Sequence, residues 1–247
     1  TATRYSPWGI RLRGRPFVAN WPQFEKGEIE VQDEGSQLLA ALVAPKRGEM
    51  IIDFCAGAGG KTLLIGALMR STGRLYAFDT SASRLARAKP RFARSGLSNI
   101  VPVVITETND TRIKRLHGKA QRVLVDAPCS GTGTLRRNPD IKWRFHAPNI
   151  DHYVQIQREI LERAAKCVAP GGRLVYATCS VLPQENQEQI TWFLQHHPHF
   201  ELMEVNPIIA PRSPDLTMAG PYLELRPDYH HTDGFFAAVL QRKTDTV

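Results

Sequence analysis

Met50-Ile-Ile-Asp-Phe-Cys-Ala-Gly-Ala-Gly-Gly-Lys-Thr62 reads as an apolar strand that runs through a glycine-rich turn into the start of a helix. Residues 50–54 are apolar except for Asp53, which suits a strand covered on both faces. Glycines at 57, 59 and 60 let the backbone approach a ligand closely, and apolar residues at helical spacing continue from Lys61 to Arg70. Ligands of open α/β sheets bind at the carboxyl ends of the strands, so this turn is a candidate site for a nucleotide-like cofactor. A Walker A loop needs glycine at position 55, which is Cys55, and a dinucleotide fingerprint counted from Gly57 needs glycine at position 62, which is Thr62. Both the ATPase and the dehydrogenase readings lose ground.

Strand-like and helical patterns alternate downstream. Strand Arg74–Asp79 precedes a helix capped by Ser81 and running to Arg94. Strands Ile100–Ile105 and Arg122–Asp126 follow, then a long helix near Ile150–Val168 stopped by Pro170-Gly171-Gly172, and strand Arg173–Thr178. Helix Gln184–Gln195 and strand Gly234–Gln241 complete the series. The alternation predicts an α/β, Rossmann-like fold with a mostly parallel, doubly wound sheet. Residues 1–32 carry short apolar segments between glycines and prolines, and read as a small β-rich lead-in or the remnant of another domain. The body is then 33–247, with the proline-rich stretch 206–232 as a long loop.

Composition agrees with a folded domain: 247 residues, 42% hydrophobic and 23% charged. No apolar run approaches the roughly 18 residues of a membrane span, and the start lacks a signal-peptide core. The first residue is Thr1 rather than methionine, so a preceding N-terminal domain is one expectation. Cys55, Cys129, Cys167 and Cys179 have neither disulfide-scaffold nor zinc spacing, which points to a reducing cytoplasm. The histidines at 196, 197, 199, 230 and 231 match no zinc pattern either, and no metal is expected.

Lysine and arginine number 32 against 24 acids, a net +8, and the excess is local. From Arg84 to Arg144 there are 14 basic residues and 4 acidic ones. Arg84, Arg87, Arg91 and Arg94 recur along one helix face, and Arg136, Arg137, Lys142 and Arg144 follow in a loop-like segment. A polyanion partner, nucleic acid above all, is one reading, and a solvated helix face is the other. Trp143 either stacks on a base or packs, and packing is expected.

Three further strand ends carry chemistry. Asp79 closes the second strand, 26 residues after Asp53, where an acid can accept from ribose hydroxyls or merely cap a helix. A glycine loop followed by this acid also fits S-adenosylmethionine. Asp126-Ala-Pro-Cys-Ser-Gly-Thr-Gly133 and Tyr176-Ala-Thr-Cys-Ser180 end two strands, which brings Cys129 and Cys179 to the ligand side of the sheet. Free cysteines are mostly buried and inert, a description that suits Cys55 and Cys167 better than this pair.

These segments, with Asn138-Pro-Asp-Ile-Lys-Trp143 and the continuation of the last one to Val-Leu-Pro-Gln-Glu-Asn186, resemble the Sun-type RNA cytosine carbon-5 methyltransferase family, which includes the bacterial RsmB- and RsmF-like rRNA methyltransferases. Gln32-Asp-Glu-Gly-Ser36 and Thr232-Asp-Gly-Phe-Phe236 extend the likeness over nearly the whole chain. Two departures are Ala56-Gly-Ala-Gly-Gly60, where the family commonly has Ala-Ala-Pro-Gly-Gly, and Thr108-Asn-Asp110, where it commonly has Gly-Asp.

The resemblance implies S-adenosylmethionine held by Cys55, Ala56, Gly57, Ala58, Gly59, Gly60 and Lys61, with Asp79, Arg84, Asp110 and Asp126. It implies that Cys179 attacks, that Cys129 assists release, that Asp126 binds the polar edge of cytosine and that Lys61 lies at the base. Carbon 5 of cytosine is a poor nucleophile, so a thiolate must first add at carbon 6, and an ordinary thiol near pKa 8.5 must be made more acidic for that. DNA enzymes attack with the Pro-Cys cysteine and lack a Thr-Cys partner, so Thr178-Cys179 points to RNA. The implied partner is RNA, ribosomal ahead of transfer RNA, acted on by a cytoplasmic monomer without membrane or metal. A tRNA cytosine-5 methyltransferase and a non-catalytic RNA-binding scaffold are the alternatives.

Overall fold

The computed structural model describes residues 1–106, 110–144 and 148–244. Its strands are β1 Met50–Asp53, β2 Arg74–Asp79, β3 Ile100–Val104, β4 Ala120–Asp126, β5 Val168–Thr178, β6 Phe200–Met203, β7 Leu223–Leu225 and β8 Phe235–Arg242. They form one sheet in the order β3-β2-β1-β4-β5-β8-β6, with β7 on β8. β1 to β5 pair in parallel, and β8 runs antiparallel to both β5 and β6. The chain reverses its direction of winding between β1 and β4, where their carboxyl ends open a crevice.

Period-two alternation explains why this sheet is covered on both sides. Ile51, Leu124, Val175 and Val239 enter one core with Leu38, Leu39 and Leu42 of the helix Glu34–Leu42. Their neighbours Ile52, Val123, Leu174 and Leu240 enter the other, against Leu161 of the helix Pro148–Cys167 and Phe193 of the helix Gln187–His196. Each fully buried aliphatic or phenyl side chain contributes about 1.5–3 kcal/mol, so the two layers dominate the stability of the scaffold.

The parallel, doubly wound sheet and the helix cap are as the sequence predicts: Ser81 Oγ accepts from the Arg84 amide at 3.3 Å, at the start of the helix Ala82–Ser95. Four readings are corrected. Pro170-Gly171-Gly172 makes no loop, because β5 begins at Val168 and absorbs the extra residues as a register shift opposite Ala120 and Arg122. Residues 206–232 hold the turn of helix Asn206–Ile209, β7 and Pro227–His230. The lead-in is not β-rich: its pairing among the described residues is the single bridge Ala2–Ile10, accompanied by short helical turns at Val18–Asn20 and Pro22–Glu25.

The fourth correction concerns the arginine stripe. Arg91 and Arg94 both pair with Glu30, at 3.0 and 2.6 Å, and Arg94 lies 3.8 Å over the Phe24 ring. Half of the stripe therefore binds the lead-in, while Arg84 and Arg87 stay exposed. Buried Glu34 holds the lead-in from the other side by accepting from the Tyr5 and Ser6 amides at 2.6 and 3.0 Å.

Candidate active site

The glycine turn after β1 is shaped by backbone bonds. Ala56 N donates to Phe78 O at 2.7 Å, and Gly59 N donates to Ala56 O at 2.8 Å. Gly59 has φ +84°, and a Cβ there would lie 2.4 Å from the Phe92 ring, so only glycine fits. At Gly57 a Cβ would meet nothing within 4 Å, so this side of the turn faces open space at the carboxyl ends of the strands. Arg91 adds a bond the sequence reading does not foresee, from Nη1 to Ala58 O at 2.5 Å.

Acids stand at successive strand ends around that space. Asp79 accepts from Gly57 N at 2.8 Å and from Ser81 N at 2.7 Å, so one carboxylate shapes the turn and caps the next helix. Asp110 caps the turn Thr111–Lys114 and accepts from Arg112 at 2.9 and 2.6 Å, which holds its carboxyl well below the usual carboxylate range. Thr108 and Asn109, beside it in the sequence, lie outside the described residues. Asp126 ends β4 and receives Lys61 Nζ at 2.7 Å. A cofactor with ribose hydroxyls and a cationic centre fits this donor set, with a side-chain-free turn against it and carboxylates at three strand ends.

Asp53 lies beneath the turn, 1% exposed, with Oδ2 accepting from Thr62 Oγ1 at 2.6 Å and Oδ1 without a partner. Burial pushes its carboxyl up to about 7 against the Thr62 bond, with Asp126 adding to the rise. The folded value exceeds the ordinary 3.8, so its stabilising contribution is complete below that value and is lost as pH rises through about 7. Asp53→Asn, a copy of the neutral form, is expected to melt about 5 °C or more above wild type at pH 8.5 and close to it at pH 5. Thermal unfolding at both pH values checks this, and an equal gap at the two would refute it.

The decisive juxtaposition is at the ends of β4 and β5. Cys129 Sγ and Cys179 Sγ are 3.4 Å apart, both partly accessible. Gly133 N donates to Cys179 O at 2.9 Å and Gly234 N to Gly133 O at 2.8 Å, so the two cysteine turns and the entry to β8 are tied together. The sulfurs differ in electrostatics. The hydrogen bond from Cys129 lowers the Cys179 thiol below its usual value against the effect of burial, and Lys61 helps while Asp126 opposes. The same contact, followed by burial and by Glu185, raises Cys129. Burial alone would lower the Lys61 ammonium, but Asp126 and Cys179 raise it, so it stays charged.

The other cysteines behave as the inert description predicts: burial pushes Cys167 up to about 12, and burial with Asp53 raises Cys55 well above its ordinary value. Arg84 stands exposed at the start of its helix, its charge acting against that rise. Trp143, expected to pack, is 76% exposed, with Lys142 Nζ 5.0 Å from its ring centroid; the Arg144 side chain lies outside the described residues. Phe235, 5.7 Å from Lys61 Nζ, and Glu185 are neighbours to which the sequence reading assigns no part. Among the described residues, no cluster of three or more His, Cys, Asp or Glu is placed to hold a metal ion, and no helix is long and apolar enough to cross a membrane.

Residues 40–241 match the family described as 16S rRNA methyltransferase RsmB/F. The chain is 36% identical over 243 residues to a probable ribosomal RNA small subunit methyltransferase B of Synechocystis sp., covering 98% of this chain and 54% of that protein. It is 40% identical over 237 residues to ribosomal RNA small subunit methyltransferase B of Yersinia pseudotuberculosis, covering 95% of this chain and 52% of the relative. The chain thus spans about half the length of the curated relatives it matches. Among solved structures it resembles PH0851, with TM-score 0.83, 37% identity and coverage of 93% of this chain and 50% of the other. It also resembles NSun6 from Pyrococcus horikoshii with SFG, with TM-score 0.80, 27% identity and coverage of 94% and 57%.

Proposed function

The chain belongs to the 16S rRNA methyltransferase RsmB/F family, and from that premise we propose that it transfers a methyl group from S-adenosylmethionine to carbon 5 of a cytosine in RNA, ribosomal RNA first. The observation that carries the reading is the pair of sulfurs 3.4 Å apart beside the Lys61–Asp126 ion pair. When bound, the cofactor supplies an activated methyl group. The turn 55–61 with Asp79, Arg84, Asp110 and Asp126 would hold it.

The chain's own residues supply the rest. Cys179 adds as thiolate to carbon 6, which turns carbon 5 into an enamine-like nucleophile. Lys61 keeps a positive charge beside that sulfur, and Asp126 grips the polar edge of the base. After methylation the carbon 5 proton is removed and the Cys179 thiolate leaves, the half of the reaction assigned to Cys129. Trp143 and Lys142 offer an exposed stacking face with a cation for RNA. Every named group comes from one chain, which suits a monomer, and four free thiols suit the cytoplasm. Residues 1–32 are then a lead-in to a catalytic domain at 33–247.

Incubation of total RNA from cells lacking the protein with labelled cofactor, followed by mapping of 5-methylcytosine, tests the assignment. A mark in ribosomal RNA is expected; a mark in transfer RNA alone changes the substrate, and no mark supports an RNA-binding scaffold. Cofactor binding has its own test at Asp79. Asp79→Asn keeps an acceptor for the Gly57 amide but removes the charge, and is expected to weaken S-adenosylmethionine binding about tenfold or more, since a charge-assisted bond is worth about 1.5–3 kcal/mol. Calorimetric titration of a folded variant with unchanged affinity would remove Asp79 from the site.

A further inference from the structure

Glu185 is 0% exposed, and its hydrogen-bond donors are neutral. Oε1 accepts from Ser130 N at 2.8 Å and Gln157 Nε2 at 3.1 Å, and Oε2 accepts from Ser130 Oγ and Ser180 Oγ, each at 2.5 Å. Ser130 follows Cys129 and Ser180 follows Cys179, so one carboxylate grips both cysteine turns. Asn186 completes the grip: it accepts from Thr178 Oγ1 at 2.6 Å and donates to Ser180 O at 2.9 Å. A buried carboxylate without a cationic partner is costly, and a fold that needed only packing here would do better with a neutral side chain.

The charge has a use because the two thiols are chemically alike and in contact. The ionisable groups around the sulfur pair are Lys61, Asp126, Glu185 and Tyr176. Lys61, paired to Asp126, acts on Cys179, and Glu185 acts on Cys129. Tyr176 donates its hydroxyl to Glu185 O at 2.6 Å and is kept neutral by burial. Positive charge thus favours ionisation of one sulfur while negative charge disfavours it at the other.

We propose that Glu185 is a positioning residue that decides which of the two neighbouring thiols is the nucleophile: it holds both cysteine turns from beneath, and its buried charge keeps the proton on Cys129 and leaves Cys179 as the sulfur that attacks. The pair loses one proton to solvent, and the remaining S–H of Cys129 points at the Cys179 thiolate. No other bond changes. The inference rests on the proposed roles of the cysteines, but its test reads thiol chemistry without RNA or cofactor. An absence of RNA methylation would therefore count against the proposed activity and leave this ordering of the thiols standing.

The test is alkylation of the full chain by iodoacetamide across pH, with each cysteine followed by peptide mass spectrometry. Cys179→Ala reports on Cys129, and Cys129→Ala reports on Cys179. Cys179 is expected to titrate at least about one pH unit below Cys129. Adding Glu185→Gln to Cys179→Ala should bring the Cys129 midpoint down by about one unit, a tenfold rise in reactivity at fixed pH below it. Adding Glu185→Asp instead retains the charge and should leave the midpoint within about half a unit. A merely structural Glu185 would loosen the turns in both variants and move Cys129 alike, which would overturn the proposal. If Glu185→Gln does not fold, the comparison of the two cysteine variants decides, and a more acidic Cys129 overturns it.

Discussion

Replacement of Cys179 by alanine is expected to lower methyl transfer to RNA roughly a thousandfold or more, the scale on which loss of a nucleophile acts, while cofactor and RNA affinity persist. The expectation follows from position. Cys179 sits at the end of β5, beside Lys61, and of the two sulfurs it is the one whose thiol is made more acidic. The only candidate to replace it is Cys129, 3.4 Å away and raised well above the ordinary thiol value. Thiolate supply there is too small to sustain turnover. Single-turnover transfer of a labelled methyl group measures the loss, and binding titrations show that the site is intact. A folded Cys179→Ala protein that kept a tenth of wild-type activity would end the assignment.

The second large effect has the opposite form, an accumulating product of the first half-reaction. Cys129→Ala leaves attack at carbon 6 and methyl transfer possible but removes the group assigned to release. A protein–RNA conjugate through Cys179 should therefore survive denaturing electrophoresis, and it should vanish in Cys129→Ala/Cys179→Ala. The sulfur contact makes this more than an analogy, because a group 3.4 Å from the attacking sulfur lies within reach of an adduct on that sulfur. Were the parts those of DNA enzymes, the conjugate would appear in Cys179→Ala and depend on Cys129. Absence of a conjugate in both single variants would leave the covalent route without support.

How far the sequence reveals this molecule differs by element. β1, β2 and β4 announce themselves because strands covered on both faces are continuous apolar runs, and their boundaries come out within two residues. The meeting of Cys129 and Cys179 is legible for the same reason, since each follows a recognisable strand and the two strands are neighbours. β6 and β7 escape because they are short and draw their pairing from β8, far along the chain. The fate of Arg91 and Arg94 escapes because Glu30, which claims them, belongs to a segment without periodicity. Glu185 lies inside a quoted motif, yet its grip on two turns is a tertiary fact that spacing along one strand does not contain.

The place of β8 bears on how the protein is made. It is synthesised after β1 to β7, yet it occupies the interior of the sheet between β5 and β6, and Gly234 at its entrance bonds to Gly133 beside the cysteine turns. While the ribosome is still adding the residues before Phe235, the outer edge of β5 has no partner and presents a row of open backbone groups, the surface on which nascent chains aggregate. Chaperone dependence is thus concentrated in the last stage of translation, and a ribosome stalled short of Phe235 releases a chain whose two thiols are present but not yet held together.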